Sequence, residues 1–323
     1  MTRKRSLLPS AIALFTLTAG SVFADGTIET KTRVQIGGVV GSIVNVFGGK
    51  AAREGVTSTT AVDGSKRLTR TGESAGELVD LSAEKVYTID YGRKTYRVQT
   101  FDELRKAYED AKKEAEEEAA ENKKSGKKDE GPEYEVDVAV KETGAKETIN
   151  GFSTKQVITT ITVREKGKKL EQSGGAVLTA DMWMGPKIAA SREIAQFNEK
   201  YFRAVYGDAL AEMQQMAVLM ATQPAFARAM KEFARKRNSF DGEAIRTILR
   251  FETVAAPGQQ AEQEESSGGV VGGLIGRAMK KRQESKGEAQ QPGRAKLFES
   301  TSEVLRAENS ASGVELPAGF KQK

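Results

Sequence analysis

The sequence predicts an α+β protein built on an antiparallel sheet with helices over one face and a charged helical insert. Three observations predict it. Apolar residues alternate at period two through most of the chain, short turn signals separate the alternating runs, and the pattern switches twice to helical period. The more amphipathic helical block is the natural cover for strands that each bury one face.

The chain begins with a basic segment, "MTRKR", then an apolar stretch, then Val22 and Ala24 where signal peptidase reads small residues. Residues 1–24 are therefore expected to be a signal peptide cleaved after Ala24, with residues 25–323 forming one exported domain. The apolar stretch is short for a bilayer span. No cysteine follows it, so diacyl lipoprotein anchoring is excluded.

From Thr27 onward "TIETKTRVQI" places Ile28, Thr30, Thr32, Val34 and Ile36 on one strand face. A glycine-led apolar insert occupies residues 37–55, with Val40, Ile43, Val44 and Phe47 clustered in it. Short strands follow, with "DGSK" and "YGRK" as hairpin turns. Thr100 and Glu103 then form a capping box for a helix in the charged insert 101–131, where Glu109 and Lys113 are spaced for an i,i+4 pair. That helix is expected to run out into solvent and a linker.

Strands resume at "EYEVDVAV", "FSTKQVITTITV" and "GGAVLTADMWM". The helical block 187–238 follows, divided by Gly207 and Pro224 into three expected helices. Met213, Met216 and Met220 share one face of it, and methionine adapts to varied apolar surfaces. "EAIRTILRFETVA" reads as a strand. Insert 256–293 is rich in Gly, Gln and Glu, and it contains "GGVVGGLIGRAMKKR", whose opening repeats that of the first apolar insert. Leu274, Ile275 and Met279 lie on the apolar side of this second segment. Such apolar faces need a lid position over the barrel mouth, mutual packing, or a membrane surface, and the basic residues that follow both segments suit an interfacial helix at an anionic membrane. "AKLFESTSEVLRAE" supplies a last strand.

The order "DGSKRLTR", "ELVDLSAEKVYTIDYGRKTYRV", "INGFSTKQVITTITV", "AVLTADMWM" and terminal "LPAGF" resembles an uncharacterised family of exported bacterial domains. That family is similar to the periplasmic lipoprotein carrier LolA and its acceptor LolB. The resemblance covers the strand-rich parts of the chain and neither the charged helix nor the apolar inserts. It implies an open antiparallel half-barrel of LolA-like type, with helices covering a concave face that holds acyl chains. A cysteine common in that family after the "GF" pair is lacking here.

Composition narrows the chemistry. The 323 residues include neither cysteine nor histidine, which removes Ser-His-Asp, Cys-His and histidine-zinc sites. No acidic pair stands alone in an apolar setting, so no catalytic residue, metal ligand or cofactor is assigned. Losing Arg3, Lys4 and Arg5 from 50 basic residues leaves 47 against 45 acidic ones, a charge of +2 that gives no reason to expect nucleic acid. The expected function is a non-enzymatic periplasmic or envelope protein binding a lipid or lipidated partner, with peripheral membrane contact. The alternative is a structural or interaction protein whose barrel is filled by its own side chains. Candidate cavity or lid residues are Val40, Ile43, Val44, Phe47, Trp183, Met213, Met216, Met220, Leu274, Ile275 and Met279.

Overall fold

The computed structural model describes residues 25–36, 54–124, 133–221, 231, 233–257 and 294–323. Twelve strands form one open sheet. They are β1 (Gly26–Ile36), β2 (Val56–Asp63), β3 (Lys66–Thr71), β4 (Ala75–Asp80), β5 (Lys85–Asp90), β6 (Thr95–Thr100), β7 (Tyr134–Ile149), β8 (Phe152–Glu165), β9 (Gly175–Gly185), β10 (Glu243–Val254), β11 (Arg294–Glu308) and β12 (Lys321–Gln322). Their spatial order is β12-β6-β5-β4-β3-β2-β1-β11-β10-β9-β8-β7. Every pairing is antiparallel except β12 on β6. Two main helices accompany the sheet, α1 (Phe101–Lys124) and α2 (Ala189–Ala221). An open sheet with its two main helices on one face is consistent with an α+β half-barrel.

Turn chemistry builds the β2–β6 meander. Gly64 takes φ 58° between β2 and β3, a conformation that costs glycine little. Asp80 Oδ1 accepts from the backbone amides of Ser82 and Ala83, and Asp90 Oδ1 from that of Arg93. The capping box of α1 is formed: Thr100 N donates to Glu103 at 2.7 Å, and Glu103 N to the Thr100 hydroxyl at 3.2 Å. Lys113 lies 4.0 Å from Glu117, one turn later than the spacing with Glu109 suggested.

The meander buries both of its faces. On the inner face Val62, Val79 and Val86 pack with Phe101 of α1 and with Phe197 and Val205 of α2. On the outer face Ala61, Leu78 and Ile89 pack under the C-terminal tail, whose Val314 is buried. The Phe320 ring stands edge-on to Tyr91 at 5.7 Å, and the last residues extend β6. The adjacent apolar pairs Ala61-Val62 and Leu78-Val79 are the sequence signature of this double burial.

Around β1, β11 and β10 the two faces differ. The outer face carries cross-strand ion pairs: Arg250–Glu299 at 2.6 Å, Arg246–Glu303 at 2.9 Å and Arg306–Glu29 at 3.7 Å. Charged side chains keep that surface in water, leaving the inner face for apolar contact. At one rim α2 begins directly on β1, where a Cβ on Gly26 would stand 2.7 Å from Ala190 Cα. The β7–β8 hairpin tip reaches β11 at the same rim, with the Asn150 side-chain amide donating to Val304 O at 2.8 Å.

The division expected at Gly207 is present, as a kink between two helical stretches. The α2 segment continues to Ala221 with one non-helical residue, Tyr206 at φ −126° and ψ 30°. A glycine costs a helix about 1 kcal/mol relative to alanine, and the interruption falls at its neighbour. Pro224 lies outside the described residues.

Candidate functional site

The inner face carries a cross-strand apolar row. Register pairs Phe298 with Phe251, Phe251 with Leu178, Leu178 with Ile161 and Ile161 with Val138. Directly opposed residues project from the same sheet face, so five apolar side chains from β11, β10, β9, β8 and β7 line up. All five are half-buried. The face is the one on which α2 lies, because Phe298 alternates with Val304, which packs against Ile188 and Ala190. Nearer the rim, Phe233 and Phe240 pack against Val140, Val157 and Met184.

Two buried hydroxyls flank the row. Thr159 stands one step toward the rim on β8 and Thr253 one step away from it on β10. The Oγ1 atoms of both lack a hydrogen-bond partner. Burying a hydroxyl without a partner costs ~1–3 kcal/mol.

A second feature lies across the same face between β2–β4 and α2. A cavity of about 440 Å³ is lined by Thr60, Arg67, Thr69, Glu77, Ile194 and Asn198, among others. Arg67 Nη2 donates to Glu77 at 2.6 Å, and Nη1 donates to the Asn198 carbonyl oxygen. Its guanidinium lies 5.7 Å from the Phe197 ring centre and 5.6 Å from that of Tyr201. Burial pushes the Tyr201 phenol upward in pKa, and neighbouring Tyr206 adds to the shift, so the ring is neutral at physiological pH. A groove of about 580 Å³ on the outer face is lined by charges that include Arg164, Asp137 and Glu135. There Arg164 lies 2.7 Å from Asp137 and 3.1 Å from Glu135.

Of the residues proposed from sequence, Trp183 is placed at the rim. It packs against the cluster of Ile28, Ile149, Ile188, Ala190, Ile245 and Val304, and strand alternation points it away from the face of Met182 and Met184. Met213, Met216 and Met220 fall within the backbone span of α2, but their side chains are outside the described residues. Val40, Ile43, Val44, Phe47, Leu274, Ile275 and Met279 also lie outside the described residues. Sequence reasoning assigned no role to the five-residue row or to Arg67. The alternation of each strand was visible, but the register that aligns them across strands was not. Among the described residues no group of three or more acidic side chains is placed to hold a metal ion.

No protein-family model, curated protein or solved structure matches this chain.

Proposed function

We propose that this is an exported, non-enzymatic protein of LolA-like type that holds the acyl chains of a lipid or lipidated partner on the inner face of its sheet. The observation that carries the reading is the half-buried row Phe298–Phe251–Leu178–Ile161–Val138. Apolar area withdrawn from water is worth roughly 25 cal/mol per Å², so an extended chain laid across five strands gains from each contact. The charged outer face offers no comparable surface.

The test is mass spectrometry of lipid extracted from protein purified out of the cell envelope. Wild-type protein is expected to carry acyl lipid, and Leu178→Asp to lose most of it, because a carboxylate in the row would have to be buried unpaired. Thr179→Asp, which projects from the opposite face beside Arg250, serves as the control and is expected to keep its lipid. Circular dichroism confirms folding of both. A lipid-free wild-type protein would instead favour a structural or interaction protein whose sheet is covered by its own side chains.

A further inference from the structure

The two edges of the sheet are built differently. On one side β12 is a two-residue strand at the end of the tail, and so short an edge discourages further pairing. On the other side β7 is 16 residues long, and among the described residues it is the last strand, paired with β8 alone. Its register against β8 is unbroken from Tyr134 to Glu142 and shifts between Glu142 and Lys146. That stretch contains no proline. Just before it the Lys166 amide donates to Glu133 O at 2.8 Å. Bonded residues alternate along an antiparallel ladder, so Glu135, Asp137, Ala139 and Lys141 bond to β8 while Tyr134, Val136, Val138, Val140 and Glu142 turn their main-chain N–H and C=O groups to the open edge.

From this edge we infer that β7 pairs with β7 of a second copy of the chain, antiparallel and centred on Val138, joining two sheets into one. A two-fold axis normal to the sheet makes identical edges antiparallel and keeps inner face beside inner face. Centring on Val138 uses the whole regular stretch. It sets Tyr134 opposite Glu142 of the second copy, Val136 opposite its Val140 and Val138 opposite its Val138. These are the residues whose main-chain groups face the edge, and their pairing makes about ten hydrogen bonds. Charge fixes the register. On the outer face Glu135 and Asp137 lie 3.1 and 2.7 Å from Arg164 toward one end of the stretch, and the exposed Lys141 stands toward the other. The rotation brings Lys141 of each copy opposite Glu135 of the other, and opposite charges across strands attract. Sliding one strand by two residues either way would set Asp137 against its own copy or Val136 against Glu142. Tyr134, the most exposed large apolar side chain among the described residues at 49%, comes to lie beside Val140 of the second copy. The apolar row then runs through Val138 from one sheet into the other, but the pairing does not depend on what that row holds.

Protein purified from the envelope fraction is examined by sedimentation velocity at micromolar concentration, with circular dichroism to check folding. Wild type is expected to be a dimer. Val138→Pro removes the N–H at the centre of the pairing from a residue whose main chain bonds nothing in β8, a place where an edge strand tolerates proline, and it is expected to be monomeric. Lys141→Glu sets like charges opposite each other at both ends of the pairing, as does Glu135→Lys, and each alone is expected to weaken dimerisation about tenfold or more. Mixed together, the two variants regain opposite charges at both ends and are expected to associate with each other more tightly than either does with itself. A monomeric wild type overturns the inference and leaves the edge to a strand of another protein. A dimer that survives Val138→Pro, or variants that associate no better with each other than with themselves, overturns it in favour of another surface. Should Val138→Pro not fold, the mixture of charge variants decides alone.

Discussion

Glu243 opens β10 half-buried, and burial raises its carboxyl above the ordinary value of 4.5, with a hydrogen bond from Ser191 pulling the other way. A raised carboxyl favours the folded state in its protonated form. That contribution is full below pH 4.5 and is lost as pH rises through the higher folded value. Glu243→Gln keeps a hydrogen-bonding group and removes the buried charge, so it should melt above wild type at pH 7, the gap closing as the pH falls through the raised folded value toward 4.5. Thermal melts of both proteins across that range check the sign, and a gap independent of pH would exclude Glu243 as its source. Arg67 shows why single residues are hard to read from sequence. Its partner Glu77 is ten positions away and legible as a neighbouring strand, whereas Asn198, Phe197 and Tyr201 come from a helix more than a hundred positions on.

At the scale of elements, the hairpins, the capping box of α1 and most strand spans were legible, because each is decided by residues within a few positions of one another. The C-terminal tail was not. Its place over Ala61, Leu78 and Ile89 depends on strands more than two hundred positions earlier. Truncation after Glu308 would strip Val314, Leu316 and Phe320 from that cluster. Each buried aliphatic or aromatic side chain lost in this way costs ~1.5–3 kcal/mol. The truncated protein should melt well below the full chain and bind a hydrophobic dye such as ANS, and an unchanged melting temperature would show that the tail is not needed to close the outer face. The kink at Tyr206, by contrast, was legible, because the weak helix propensity of Gly207 marks the division at its neighbour.

For the whole molecule, the export reading rests on the sequence alone. The basic start, the apolar stretch and the Val22 and Ala24 pair lead to an expected mature N-terminus at Asp25, and Edman or mass-spectrometric sequencing of the envelope fraction checks it. A mature chain that retains Met1 would defeat it. By itself the sequence determined the fold class, the antiparallel habit of the strands and the absence of histidine and cysteine chemistry. These follow from periodicity and composition, which are properties of neighbouring residues or of the chain as a sum. Only the tertiary structure decided that β1 lies between β2 and β11, that one face carries ion pairs while the other aligns Phe298, Phe251, Leu178, Ile161 and Val138, and that hydroxyls border that row. Register is the physical reason. Sliding one strand past its neighbour by a single residue turns every side chain to the opposite face, and what holds each strand in place is the packing of segments far apart in the chain.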